Sequence, residues 1–304
     1  MSAYDQLAPY YDAWQDELRN PATWAEMALA LYDELCGSQG EPLRIFDFAC
    51  GSGSVSEALA QRGHIVTGLD LSKAMIELAG NRHSGAGSLR FLEGDLLAYS
   101  RDALAPEHLH DMPVGSDYDL VVAFLDVFNH FLSEADLQAI IGALASLLAP
   151  NGLLVFDVLR EDYMRDVLPD LAFGEVLDDD HNVYLIWENE NLDDPLGNRA
   201  HLTFFEGMTD RAGRDLPGNP TGEAKGDLKG DLDGDLDEDF ANTEIYRKLT
   251  QVIEERFYDA RTLSNALKTS GLQLLGEIDP ERVYPSSGNE YYSEDRHFYV
   301  AQKG

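Results

Sequence analysis

Seven consecutive residues, Asp47-Phe48-Ala49-Cys50-Gly51-Ser52-Gly53, combine an acid, a small residue and two glycines. Gly51 and Gly53 carry no Cβ, so the backbone there can turn sharply and come close to a ligand. A short apolar run ends at this turn and a helical pattern starts directly after it. A strand that hands the chain to a helix N-terminus in this way is where nucleotide-like ligands bind. Asp70 closes the next apolar run, seventeen residues after Gly53. A carboxylate at that point can accept the protons of both hydroxyls of a ribose. A nicotinamide dinucleotide is one candidate ligand. Its fingerprint has a third glycine where this chain has Ser56, and Asp47 would stand near its pyrophosphate.

Asp126, Asn129 and His130 follow a later apolar run, which puts them at the carboxyl edge of a sheet, where ligands sit. Histidine exchanges a proton near neutral pH, so His130 can take one from an attacking hydroxyl or amine. Asp126 and Asn129 would shape the same site. The plainer reading has Asn129 and His130 making local hydrogen bonds ahead of the next helix. Glu254-Glu255-Arg256 can form part of a substrate lid, with Arg256 reaching the substrate, or the solvated face of a strand. His108, His110 and Asp111 suggest a metal, but their loop is bounded by prolines and offers no fourth ligand. They read as solvated. The repeat over 226–237, built on Gly-Asp-Leu, invites a calcium reading. Placing Gly234 at position six of a calcium loop puts Lys229 at one and Phe240 at twelve, where acids are required. The repeat therefore reads as a flexible low-complexity hairpin loop.

The elements that must position these residues follow from periodicity. Pro21 opens a helix over 21–36, with Asn20 as its cap. Strand patterns over 43–48, 64–69, 89–92, 118–123 and 152–158 alternate with helices that start near Ser54, Ser72 and Ser133. Ser133 and Asp136 form a capping arrangement. Such alternation implies a parallel sheet covered on both sides. The order then changes. Stretches at 183–188, 200–206 and 244–258 read as strands with no helix between them. A helix over 262–270 and strands over 272–278 and 297–302 complete the chain.

These residues, taken in order, resemble the class I S-adenosylmethionine (SAM)-dependent methyltransferases. Residues 45–53 resemble the first motif of that family, and Val66-Thr67-Gly68-Leu69-Asp70-Leu71-Ser72 with Met75 the second. Phe91-Leu92-Glu93-Gly94-Asp95-Leu96 is similar to the third, where the acid meets the adenine amino group. Tyr118-Asp119-Leu120-Val121, Leu148-Ala149-Pro150-Asn151 and the run 153–157 are similar to the fourth and fifth strands. Ala49 stands where many members have glycine. The resemblance is strong over 43–158 and weaker over 259–303. Tyr4-Asp5-Gln6-Leu7-Ala8-Pro9-Tyr10-Tyr11-Asp12 also resembles the N-terminal segment of small-molecule members, in which a tyrosine closes over the methionyl end of the cofactor. That role passes to Tyr11, and after it to Tyr4.

The resemblance implies an α/β fold: a doubly wound, mostly parallel, seven-stranded Rossmann-like sheet with an antiparallel β insertion. It implies an N-terminal helical segment over 1–42 that closes over the cofactor, and a core of 43–159 and 259–304. The β-rich insertion is 160–258, with a flexible acidic loop at about 210–240. The cofactor is SAM, held by Tyr11, Asp47, Ala49, Gly51, Gly53, Asp70, Leu71, Met75, Asp95, Leu96 and Phe124. The reaction is methyl transfer to a nitrogen or oxygen of a small molecule. Asp126 and His130 are the catalytic candidates, and Asn129 and Arg256 the substrate contacts. SAM already carries an activated methyl group, so no covalent protein nucleophile is needed. It also lacks a phosphate, so Asp47 meets less repulsion than with a dinucleotide. The alternatives are an NAD-dependent oxidoreductase and a non-catalytic SAM-binding regulatory protein. The insertion, with Tyr184, Trp187, Phe204, Phe205 and Phe257, is expected to be a substrate cap or else a homodimer interface.

Composition narrows the partners. The chain carries 56 acids against 22 lysines and arginines, a net charge of −34, which repels nucleic acid. Segment 210–240 holds ten acids and four bases, so most of the excess lies elsewhere. No apolar run approaches the roughly 18 residues of a membrane span, and the first residues do not read as a signal peptide. Two cysteines, Cys36 and Cys50, are too few for a disulfide framework. A cytoplasmic protein with a small-molecule methyl acceptor is the expectation.

Overall fold

A computed structural model describes residues 3–5, 7–11, 21–37, 40–82, 88–102, 115–178, 183–207, 246–278 and 295–304. The first half alternates as the periodicity requires. In chain order come α1 (Pro21–Cys36), β1 (Arg44–Phe48), α2 (Ser54–Gln61), β2 (Ile65–Asp70), α3 (Lys73–Arg82), β3 (Leu89–Glu93), α4 (Leu96–Asp102), β4 (Tyr118–Ala123), α5 (Glu134–Leu147) and β5 (Leu148–Leu159). Four strands without intervening helices follow: β6 (Ala172–Asp178), β7 (Val183–Asp193), β8 (Leu196–Gly207) and β9 (Tyr246–Arg256). The chain closes with α6 (Ala260–Thr269), β10 (Leu272–Ile278) and β11 (Arg296–Lys303).

The core sheet has the strand order β10-β11-β5-β4-β1-β2-β3. The pairs among β1 to β5 are parallel, and β11 runs antiparallel to both of its neighbours. Its central strands are buried on both faces, which is why β4 and β5 read as continuous apolar runs rather than alternating ones. On one face α5 presents Leu137, Ile140, Ile141 and Leu144, all fully buried. Each such side chain stabilises the fold by about 1.5–3 kcal/mol relative to exposure. Ser133 caps α5 by accepting from the Asp136 N–H. On the other face α1 packs Trp24, Ala25, Ala28 and Leu31 against β1, β4, β5 and β11. The chain leaves β1 with β2 on one side and β4 on the other. That reversal opens a crevice at their carboxyl ends, the usual ligand position in such sheets.

The insertion forms a separate four-stranded antiparallel sheet, ordered β6-β7-β8-β9. Leu185 pairs in register with Phe204, and these two join Ala200, Leu202 and Ile253 on one buried face. That face rests on Leu7, Tyr4, Tyr10 and Tyr11, so the N-terminal residues lie between insertion and core. Three details differ from the sequence expectation. β5 starts at Leu148 rather than 152, because α5 passes into it without a loop. The insertion opens with two short helical turns, Tyr163–Val167 and Leu168–Asp170, before any strand. β6 gave no clear period-2 signal, since as an edge strand it is largely exposed, Phe173 and Val176 included.

Asn20, the group His108, His110 and Asp111, and the acidic loop with its repeat all lie outside the described residues. No helix among the described residues is long and apolar enough to cross a membrane.

Candidate active site

The two glycines of the turn do different things. Gly53 has φ +80, and a Cβ on it would come within 2.5 Å of the Phe91 ring and 3.1 Å of Ala79. It is needed so that the start of α2 can pack against β3 and α3. Gly51 has φ +52, and a Cβ there would project toward the Tyr11 ring at 3.7 Å. Its bare backbone keeps open the gap between the turn and Tyr11. Ala49 also takes a positive φ, 57°. The turn is braced by Asp70, whose carboxylate accepts from the Gly51 N–H and the Ser72 N–H, both at 2.8 Å. Burial pushes the Asp70 carboxyl up, against the downward pull of those two donors. Ser72 accepts from the Met75 N–H and donates to Asp5 at 2.6 Å, so it caps α3 and ties the N-terminal segment down.

The turn opens onto a cavity of about 490 Å³, within the ordinary range for small-molecule sites. Ala49, Gly51 and Asp70 line it, and so do Leu71, Met75 and Leu96. Asp95, Phe124 and Tyr11 complete the predicted cofactor residues found in its wall. Trp24 also lines it, stacked edge-on against Phe124 at 5.3 Å. Tyr4, His130 and Phe131 stand at the wall too, together with Val252, Ile253 and Glu254 of β9. Core, N-terminal segment and insertion therefore share one cavity.

Beside it lies a polar cluster. Leu125 and Asp126 follow β4 with φ 71° and 53°, a conformation that costs a non-glycine residue energy and tends to occur at functional sites. Their N–H groups donate to the Asp157 carboxylate at 2.7 and 2.9 Å, which holds both residues in place. Arg296 of β11, almost fully buried, donates to Asp157 at 2.5 Å, Asp126 at 2.8 Å and Asp295 at 3.2 Å. Burial pushes the Asp157 carboxyl up even though Arg296 pulls it down. The His130 Nε2 lies 3.2 Å from the Tyr4 hydroxyl and 3.8 Å from Asp126. Burial, then Tyr11, Asp126 and Glu255, push the Tyr4 phenol well up, so it keeps its proton.

The description "Methyltransferase domain" belongs to the family model that matches residues 46–154. A Geobacillus sp. (strain WCH70) protein named as a methyltransferase is 30% identical over 206 residues, covering 66% of this chain and 72% of its own length. An S-adenosylmethionine-dependent methyltransferase from Clostridium acetobutylicum ATCC 824 superposes with a TM-score of 0.66 at 21% identity, with 100% of both chains covered. The chain is a class I SAM-dependent methyltransferase. The sugar N-methyltransferase KedS8 from Streptoalloteichus sp ATCC 53650 shares the fold as well, with a TM-score of 0.65, 16% identity, and 96% and 92% of the two chains covered.

The residues of this methyltransferase fit its cofactor. Asp70 supplies an acceptor for a diol, Leu71, Met75 and Leu96 supply apolar surface for a purine, and the missing Cβ of Gly51 leaves the space under Tyr11. The oxidoreductase and non-catalytic readings are set aside.

Four sequence expectations are corrected by the geometry. Asp47 is 3% exposed and takes a hydrogen bond from Ser56 at 2.6 Å. It stands behind the turn instead of lining the cavity, and burial pushes its carboxyl up to about 7. Ser56, weighed only as a missing glycine, is its partner. Gly53 likewise serves packing and is not in the cavity wall. Asn129 is fully buried, donating to the Arg256 carbonyl at 2.8 Å and accepting from the Leu159 N–H at 3.0 Å. Its amide fastens β5 to β9 and leaves no face for substrate. Arg256 donates to Glu134 at 3.0 Å and the Leu132 carbonyl at 3.1 Å, with its guanidinium over the Tyr258 ring. It anchors the end of β9 to α5. None of the five aromatics proposed as cap lining reaches this cavity. Phe204 is in the buried face of the insertion, and Tyr184 and Phe205 line a second hollow on that sheet. Of the insertion residues that do reach it, Glu254 belongs to the segment read as part of a substrate lid, while Val252 and Ile253 carried no signal beyond strand alternation.

Proposed function

We propose that this methyltransferase moves a methyl group to a nitrogen or oxygen of a small molecule held between the core sheet and the insertion. The observation that carries the reading is the single cavity shared by the glycine turn, Tyr4 and Tyr11, and β9. A cavity of about 490 Å³ that must also hold the cofactor leaves room for a small acceptor only. The net charge of −34 argues in the same direction against nucleic acid. KedS8, which shares the fold, is a sugar N-methyltransferase, and this supports a small-molecule acceptor.

When bound, SAM supplies a sulfonium-activated methyl group. Asp70 would accept from the ribose hydroxyls and Asp95 from the adenine amino group, with Leu71, Met75 and Leu96 as apolar surface for the purine and Tyr11 for the methionyl end. His130 takes the acceptor's proton, and Tyr4 holds the imidazole in place. Enclosing and aligning the acceptor accounts for most of the acceleration, since orientation alone supplies about 7–11 kcal/mol in favourable intramolecular cases.

The test is turnover of methyl-labelled SAM against a panel of small amines, amino sugars and alcohols. The expected result is label in at least one acceptor and a strong loss, about 10²-fold or more, in His130→Ala. A protein that binds SAM yet labels only nucleic acid or protein would overturn the reading.

A further inference from the structure

We propose that Glu255, brought to the site by insertion strand β9, is a positioning residue that completes a proton-accepting cluster with Asp126 and His130. This rests on His130 facing the methyl acceptor, as proposed above. The N and O atoms that Asp126, His130 and Glu255 present lie within 4.8 Å of one another. His130 lines the cavity, and its Nε2 faces Asp126 and Tyr4. Its Nδ1 has no hydrogen-bond partner among the described residues. One side of the ring is therefore committed to the cluster and the other is open.

The charge balance gives the cluster its function. Asp126, Asp157 and Asp295 all pair with the single guanidinium of Arg296, and Glu255 stands beside Asp126 and Arg296. Four carboxylates against one guanidinium leave −3 when all are ionised. Little water reaches this place, since Asp157, Asp295 and Arg296 are each under 9% exposed. Uncompensated buried charge is relieved by taking up protons. Burial first, and the Asp126 charge second, push the Glu255 carboxyl well above its ordinary range. A carboxyl beside a carboxylate then shares one proton with it. Asn198, opposite Glu255 in the register of β8 and β9, interacts with that carboxyl. Asn198 is 1% exposed, and its Oδ1 has no hydrogen-bond partner among the described residues. The Asn198 hydrogen bond and the Arg296 charge pull the Glu255 carboxyl down, and burial and Asp126 outweigh them.

Each methyl transfer releases one proton from the acceptor. It moves to the Nδ1 lone pair of His130. The Asp126 carboxylate, 3.8 Å from Nε2, stabilises the imidazolium so formed, and Glu255, protonated and hydrogen-bonded to Asp126, holds that carboxylate in place. The imidazolium returns its proton to solvent after the product leaves. The insertion thus supplies part of the proton chemistry as well as a wall.

The experiment is NMR titration of the full chain between pH 5 and 9, with ¹⁵N-histidine and ¹³C-carboxyl labels. His130→Gln and Glu255→Gln assign the signals. In the parent, the Glu255 carboxyl titrates above the ordinary carboxylate range, and the His130 ring signals follow that ionisation as a second component. In Glu255→Gln, the component of the His130 ring signals that follows Glu255 ionisation is lost, because the charge that appears on Glu255 at high pH is gone. Superimposable His130 curves, or a Glu255 carboxyl titrating in the ordinary range, would overturn the proposal. Asp126→Asn gives a second check, expected to bring the Glu255 midpoint down. None of these readouts needs an acceptor. Failure here is therefore distinct from failure of the turnover panel. With any acceptor the panel identifies, Glu255→Gln should lower kcat about tenfold at pH 7, below the loss from a general base itself. SAM affinity should not change.

Discussion

The two ends of the cavity treat charge in opposite ways. At the glycine turn, carboxylates are held by backbone N–H donors: Asp70 by Gly51 and Ser72, and Asp95 by Ala98. Such donors are fixed dipoles that cannot leave. At the other end, Asp157 also has a pair of backbone N–H donors, but Asp126, Asp157, Asp295 and Glu255 gather round one arginine. There the charge can change only by exchanging protons. The first arrangement suits a permanent binding contact, and the second suits a step in which a proton has to go somewhere. One chain uses the same residue type for both, and the donors around it decide which.

The sharpest way to break the second end is Arg296→Met. Asp126, Asp157 and Asp295 lose their shared partner, and the strained Leu125–Asp126 turn loses the charge that keeps Asp157 ionised. Removing one member of a buried ion pair typically costs about 3–5 kcal/mol. Urea unfolding should show a loss of that order. A loss under about 1 kcal/mol would mean that the cluster carries little of the fold.

Asp47 tests whether the first end is purely a fixed-charge device. Its folded-state value is about 7, raised from 3.8. The native state therefore binds this proton more tightly than the unfolded chain. Its contribution to stability is complete below about pH 4 and fades as the pH rises to about 7. The whole change is roughly 4 kcal/mol at 1.36 kcal/mol per pH unit. Asp47→Asn removes that titration while keeping an acceptor for Ser56. Thermal unfolding of the variant, followed from pH 4 to pH 8, should fall off less steeply than the parent. Parallel curves would place the Asp47 carboxyl in the ordinary range.

Asp70→Ala sharpens the comparison from the ligand side. Losing charge-assisted hydrogen bonds to the ribose, at about 1.5–3 kcal/mol each, should weaken SAM binding at least tenfold by calorimetry. Unchanged affinity would remove Asp70 from the cofactor contacts. Arg296→Met, where it remains folded, should affect turnover far more than SAM affinity.

Sequence by itself determined the alternation of the core, the cap at Ser133, the cap at Ser72, the glycine turn and the place of Asp70 at the end of the next strand. These rest on patterns among near neighbours, such as the Ser133 hydroxyl that accepts from Asp136 and the Ser72 hydroxyl that accepts from Met75, each three residues on. Their chemistry is written in local spacing. Only the tertiary structure decided the acceptor end. Tyr4 meets His130 across 126 residues, Asn129 meets Arg256 across 127, and Arg296 meets Asp126 across 170. No period or motif links such residues. A buried arginine and a surface arginine look the same in a list of letters. Arg296 is distinguished by where β11 is inserted, antiparallel beside β5. Glu255 is distinguished by which face of β9 turns toward the core. Both depend on how two sheets pack, and that is set by the summed burial of many side chains rather than by any residue in the site.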